Sequence, residues 1–230
     1  MINQMSVPRT IAIDGPAGSG KSTLGSLLAN ELGYLYFDTG VMYRAVTLAA
    51  IKDHLEITDE AAIGALAQRV RIDVKPASVE DGRDNDVLLD DEDVTWAIRE
   101  DVVNAHVSTV SAYPAVREAM TAQQRRIARE NKVVMVGRDI GTVVMPDAPL
   151  KIYLDAPVEV RARRRYQELI ERGDNANYGE VLQSLKNRDR IDSSREIAPL
   201  KIAADAVVIQ AACLGIEDVL RQAKALVNHV

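Results

Sequence analysis

Short apolar runs recur along the chain, and several hand over to stretches where apolar residues return every three to four positions. Ile11-Ala12-Ile13 leads into a helical pattern that continues to about Leu32. Tyr34–Phe37, Val133–Val136, Ile152–Leu154 and Ala206–Ile209 are runs of the same kind, the last followed by a helix from about Ile216 to Asn228. Unbroken apolar runs fit strands buried on both faces, and their alternation with helices predicts an α/β fold: a parallel sheet with helices on both faces. Ligands of such sheets sit beyond the carboxyl ends of the strands. The residues after each run are therefore the ones to inspect.

From about Gln68 to Thr95 the pattern changes. Val70-Arg71-Ile72-Asp73-Val74 alternates, as does part of Asp86-Val87-Leu88-Leu89, and the stretch between them is rich in Asp, Gly and Ser. This predicts a small antiparallel β insertion at the edge of the core. The run Asp90-Asp91-Glu92-Asp93 reads as a solvated turn rather than a metal site, because no second ligand cluster accompanies it. The chain shows no internal repeat and no low-complexity segment.

After the first apolar run comes Gly15-Pro16-Ala17-Gly18-Ser19-Gly20-Lys21-Ser22, then Thr23 and an amphipathic pattern. This fits the phosphate loop G-x-x-x-x-G-K-[ST] in the strand–turn–helix setting that the motif requires. Glycines let the backbone approach a ligand closely, and successive N–H groups with the helix N-terminus form an anion cradle. Lys21 would reach the β- and γ-phosphates of a nucleoside triphosphate, and the Ser22 hydroxyl would sit on Mg²⁺.

The other strand ends carry charge. Asp38-Thr39-Gly40-Val41-Met42-Tyr43-Arg44 follows the second run, with Asp38 or Thr39 placed to cap a helix from near Val41. Arg44 reads equally as a phosphate fork or as an exposed arginine on that helix. Gly137-Arg138-Asp139-Ile140-Gly141-Thr142 follows the third run, where Arg138 could take a phosphate and Asp139 an amine or hydroxyl. A structural Arg–Asp pair at the strand end is compatible with both roles. Arg188, Asp192 and Arg195 share one face if helical, as a self-satisfied salt bridge or as a phosphate clamp with a ribose acceptor. Arg161, Arg164 and Arg165 also fall on one helical side, and an arginine array facing the cradle would stabilise a phosphoryl group in transfer.

Composition narrows the classes. Of 230 residues, 47% are hydrophobic and 27% charged, ordinary for a globular protein. A net charge of −6 and few aromatics argue against a nucleic-acid partner. No run is long enough to span a membrane, and no signal peptide is legible. The single cysteine, Cys213, fits a reducing compartment, hence the cytoplasm, and reads as a small buried apolar residue. Asn131-Lys132 is the nearest match to a guanine-reading Asn-Lys-x-Asp. It lacks the aspartate and precedes its strand, so a GTP-dependent switch is disfavoured.

Together these segments resemble the bacterial cytidylate kinases, a family of nucleoside monophosphate kinases. The resemblance runs along nearly the whole chain. It rests on Gly15–Thr23, Asp38-Thr39-Gly40 with Tyr43-Arg44, Pro114 with Val116-Arg117-Glu118, Gly137–Val144 with Pro146, Arg188-x-x-x-Asp192-x-x-Arg195 with Ala198-Pro199-Leu200, and Asp205-Ala206. It implies a P-loop-type core (1–40, 107–157 and 196–230), a monophosphate-binding segment (41–106) that holds the β insertion, and an arginine-rich lid (158–195). It implies ATP-dependent phosphorylation of CMP and dCMP by a monomer, with Mg²⁺. Residues 15–23 would hold ATP. Ser108, Arg117 and Asp139 would recognise cytosine, and Arg44, Arg138 and Arg195 the acceptor phosphate. Arg188 and Asp192 would take the ribose, with Thr39 and Tyr43 lining the pocket. Lys21, Arg138, Arg165 and Arg195 would serve the transfer. Three positions depart from the family pattern. Val136 stands where an acidic residue is common, which bears on one supporting contact to an arginine; Thr39 replaces a frequent Ser; Gln210 replaces a frequent acidic residue.

Overall fold

The computed structural model describes residues 7–229. Five parallel strands form the main sheet: β1 (Thr10–Asp14), β2 (Leu35–Asp38), β6 (Val133–Gly137), β7 (Leu150–Asp155) and β8 (Val207–Gln210), in the order β2-β6-β1-β7-β8. A second sheet joins β3 (Ile72–Pro76), β4 (Asn85–Leu89) and β5 (Glu92–Asp93) in antiparallel register. The helices are α1 (Lys21–Leu32), α2 (Gly40–Lys52), α3 (Glu60–Arg69), α4 (Asp101–Val110), α5 (Pro114–Glu130), α6 (Val158–Glu171), α7 (Tyr178–Ser194) and α8 (Ile216–Val227).

The period of two along the strands explains the unbroken apolar runs. Ala12 of β1, with Val133 and Met135 of β6, faces the core shared with α2, α3 and α5. Ile11 and Ile13, with Val134 and Val136, face the core under α1 and α8. β1 and β6 are apolar throughout because each face has its own helical cover, whereas the edge strand β8 departs from the expectation, with Val207 and Val208 exposed and only Ile209 buried. Val136 therefore belongs to packing: a Cβ added to Gly25 of α1 would lie 2.4 Å from its Cγ2.

The β insertion lies at the sheet edge, as the pattern predicts. Asn85 Nδ2 donates to the Tyr36 carbonyl of edge strand β2 at 2.6 Å, and Ser26 Oγ of α1 donates to Asp84 at 3.1 Å. Asp90 and Asp91 have φ of 49° and 68°, so the first half of the acidic run is a tight turn between β4 and β5, while its second half, Glu92–Asp93, is β5 itself. No metal-holding cluster of His, Cys, Asp or Glu occurs among the described residues.

Helices α6 and α7 stand apart from both main cores. A small third cluster of Ala17, Ala162 and Leu185, with Val158, Tyr178, Val181 and Leu182 against it, is their apolar anchor. Two expectations are corrected here. Helix α7 ends at Ser194, and Arg195 takes an extended conformation (φ −57°, ψ 135°), so Arg188, Asp192 and Arg195 do not share one helical face. Cys213 is exposed, because the segment between β8 and α8 turns Ala211 and Leu214 toward the core and not the cysteine.

Candidate active site

The turn after β1 demands glycine at three positions. Gly15, Gly18 and Gly20 have φ of 150°, 74° and 97°, and a Cβ on Gly15 would stand 2.2 Å from the Leu154 carbonyl oxygen of β7. Gly20 caps α1 without a side-chain acceptor, which leaves the first-turn N–H groups to a bound anion. Lys21 Nζ donates to the Pro16 carbonyl at 2.6 Å and lies 3.5 Å from Ser19 Oγ. Burial and then the Arg138 guanidinium bring this ammonium down to about 7, with Asp38 and Asp14 opposing. Ser22 Oγ donates to Asp38 Oδ2 at 3.1 Å, while Asp38 Oδ1 accepts the Gly40 N–H at 2.9 Å. Asp38 is thus the residue that supports the start of α2, whereas the Thr39 hydroxyl donates to the Val136 carbonyl. A hydroxyl and a carboxylate side by side at the cradle form an oxygen set that fits Mg²⁺.

Two cavities open near the phosphate loop and the turn after β6, and Lys21 lines the first. One, of about 680 Å³, is lined by Gly18–Thr23 together with Arg164, Arg165, Leu214 and Val219. The other, of about 630 Å³, brings together all ten residues expected for the monophosphate: Thr39, Tyr43, Arg44, Ser108, Arg117, Arg138, Asp139, Arg188, Asp192 and Arg195. They come from α2, α4, α5, α7 and the turn after β6.

Within the second cavity, carboxylates orient guanidiniums. Arg117 pairs with Asp139 at 2.7 Å, donates to the Ser111 carbonyl at 3.1 Å and lies 5.4 Å above the Tyr43 ring. Asp192, almost fully buried, holds Arg138 through one oxygen and Arg195, at 2.5 Å, through the other. Arg44 donates to Asn104 Oδ1 and to the Ile98 carbonyl. Arg188 has no ion pair among the described residues, and burial followed by Arg138 pulls it down to about 10. Burial lowers Arg44 and Arg195 as well. Arg117 Nε and Arg195 Nε are buried without a protein partner. Clustered cations that depress one another define a site for a multiply charged anion.

The arginine array is only partly as expected. Arg161 does not face the cradle. It is buried beneath it, and donates to the Ala156 and Ala17 carbonyls and to Asp189 of α7. Arg164 donates to the Ala211 carbonyl at 2.6 Å. Arg165, half exposed and paired with Glu168 at 3.0 Å, lines the first cavity and not the second. Sequence reasoning also passed over Asp14, whose carboxylate accepts N–H bonds from Ile140 and Gly141, and Asn104, which steadies Arg44. Asp14 carried a signal, since it is the last residue of a strand facing the ligand edge. Asn104 carried none, because α4 meets α2 only in three dimensions.

A glycine-lined cradle for a triphosphate, with a cationic cavity large enough for a nucleotide near it, defines a P-loop kinase for a small phosphorylated acceptor. The cytidylate kinase family model matches residues 11–229, and the chain belongs to the cytidylate kinase family. It is 52% identical to a cytidylate kinase of Herpetosiphon aurantiacus over 91% of this chain and 90% of the other. It is 44% identical to that of Bacillus licheniformis over 95% of each. A solved structure of an uncharacterized protein from Eubacterium ventriosum shares the fold, with a TM-score of 0.51 at 11% identity over 96% of this chain and 99% of that one.

Proposed function

We propose that the protein transfers the γ-phosphoryl group of ATP to CMP or dCMP, yielding ADP and CDP or dCDP, as a step of pyrimidine nucleotide metabolism. The observation that carries this reading is the pair of cavities, one built on the phosphate loop with Lys21 and the other crowded with guanidiniums, two of which (Arg138 and Arg188) act on that lysine. The donor phosphates would lie on residues 15–23, and Ser22 with Asp38 beside it would hold Mg²⁺. The metal supplies charge neutralisation on the donor phosphates. An oxygen of the acceptor phosphate attacks the γ-phosphorus, and the bond to the bridging oxygen breaks with its electron pair leaving on ADP. The attacking oxygen is already anionic, so no general base is needed. Lys21, Arg138 and Arg195 take up the charge that spreads over the transferring group, and Arg165 assists from the donor side.

Arg44, Arg138 and Arg195 hold the acceptor phosphate. Arg188 and Asp192 take the ribose, with Thr39 and Tyr43 lining the pocket. Asp139 accepts from the cytosine amine while Arg117 and Ser108 donate to the ring acceptors, a pattern that bases without that amine leave unpaired. The lid (158–195) and the monophosphate-binding segment (41–106) close on the core and exclude water. The same reading has the enzyme acting as a cytoplasmic monomer, so light scattering should give the mass of one chain. With ATP constant, CMP and dCMP should yield ADP well ahead of UMP and AMP in a coupled assay. No ADP from ATP with CMP would overturn the proposal.

A further inference from the structure

Asp14 ends β1 immediately before the phosphate loop, and its side chain reaches across to the turn after β6. Oδ1 accepts the Ile140 N–H at 2.9 Å and Oδ2 the Gly141 N–H at 2.7 Å. These two donors open the π-helical turn Ile140–Val144, and like other first-turn donors they lack a partner within their own turn. The two residues immediately upstream are Arg138 and Asp139, both on the monophosphate cavity. Asp14 is 5% exposed and has no salt bridge among the described residues. A buried carboxylate without a counter-ion is costly. Two adjacent, parallel N–H groups demand two acceptor oxygens on one side chain, which only a carboxylate provides.

We infer that Asp14 is a positioning residue for the transfer reaction: it locks the turn after β6 so that Arg138 and Asp139 face the acceptor nucleotide, and it ties that turn to the strand bearing the donor cradle. Neighbouring glycines fit this role. A Cβ on Gly141 would come within 3.4 Å of Asp14 Oδ2 and 3.1 Å of the Lys151 side chain. The carboxylate is held fast between the sheet and the turn. The inference rests on the acceptor-site reading of Arg138 and Asp139.

Protonation state adds a signature. Burial raises the Asp14 carboxyl to about 6, against its two backbone hydrogen bonds; Asp139 also raises it and Lys21 lowers it. The other titratable groups around it are Tyr153, its register partner on β7, and Lys151, whose ammonium is taken by Asp205 and the Pro146 carbonyl. A protonated Asp14 presents an O–H to one of the two N–H groups. The lock therefore holds above about 6 and loosens below it.

Asp14→Asn is the test, because the amide keeps one acceptor and turns an N–H₂ against the other donor. The kcat/KM for CMP should fall at least about tenfold, while the affinity for a non-hydrolysable ATP analogue changes less than about threefold. CMP has its own phosphate ionisation near 6, so the pH readout is the difference between wild-type and variant profiles. The wild type should lose additional kcat/KM for CMP below about 6 and the variant should not. Unchanged CMP kinetics with superposable profiles would overturn the inference. So would equal losses toward CMP and the ATP analogue, which a general loosening produces. If the variant does not fold, the wild type alone decides. From pH 7.5 to 5.5, affinity for CMP should weaken beyond the ligand's own ionisation while that for the ATP analogue does not, and parallel weakening would refute it. Asp139→Asn, assayed beside it, tests the acceptor site separately. If that variant keeps normal CMP use, the acceptor-site reading fails rather than the lock.

Discussion

The ammonium of Lys21 lies buried among guanidiniums, and burial with Arg138 holds it near 7 against 10.5 for a free lysine. The sign is definite. Folding the free protein strips this group of a proton between about 7 and 10.5, so its contribution to stability improves as pH rises through that window. A bound triphosphate reverses the balance, because the adjacent negative charge favours the ammonium. ATP binding at pH 8 should take up close to one proton, seen as binding enthalpies that differ between buffers of unlike ionisation heat. Lys21→Met should abolish the difference, and equal enthalpies in the wild type would contradict the assignment. Arg117 and Asp139 pose the opposite problem, since their pair is buried in the fold and is also the one proposed above to read the base. Arg117→Ala leaves the Asp139 charge buried and should cost about 3–5 kcal/mol in urea unfolding, together with CMP use. Arg117→Met combined with Asp139→Leu should recover most of the stability and none of the CMP kinetics. Recovery of both would remove the pair from the site. Such pairings were only half legible in the sequence. Arg138 and Asp139 announce themselves after a strand, whereas the partners that orient them, Asp192 and Arg117, lie dozens of residues away.

Helices α6 and α7 carry the arginine-rich face on a slender footing. Their apolar anchor is the small cluster around Ala17, Ala162 and Leu185, while β1 and β6 lie between two full cores. Arg161 supplements the anchor by joining the Ala17 carbonyl of the phosphate loop to Asp189 of α7. Local stability follows buried apolar contact, so amides of α6 and α7 should exchange with solvent well before those of β1 and β6. ATP analogue and CMP together should slow exchange in these two helices more than either alone. Equal protection across helices and sheet in the free protein would rule out a mobile lid. The arginines that drew attention to this region were visible as composition, but their division of labour was not. Whether a guanidinium meets a carbonyl, a carboxylate or open cavity depends on how α6 crosses the loop, and helical periodicity gives the side and not the neighbour. Arg195 shows the same limit: its spacing from Asp192 suggested a continuing helix, yet the chain breaks at Ser194 and still brings the two together.

At the level of the whole molecule, the parallel sheet decides what can meet. With β1 central and β6 and β7 on either side, the phosphate loop, the turn after β6 and the start of α6 emerge at the same edge within reach of one another. That much was legible, because continuous apolar runs declare doubly covered strands. Strand order was not, since nothing in β6 itself says that it inserts between β2 and β1. The order has a consequence for binding. Lys21 lines the donor cavity and feels the charge of Arg138 and Arg188 on the acceptor cavity, so a single molecule with adenosine and cytidine joined through a polyphosphate chain should occupy both. Once its adenosine half is seated, the cytidine half is presented at an effective concentration in the millimolar range, which makes the second contact intramolecular. The conjugate should bind about 10²–10⁴ times more tightly than ATP, and should raise the unfolding temperature beyond a mixture of ATP and CMP at equal concentration. Arg138→Ala should remove most of that advantage while leaving ATP affinity near normal, since Arg138 lies on the acceptor side. A conjugate that binds no better than ATP would mean that the two cavities are not connected, and that the phosphoryl path drawn between them is wrong.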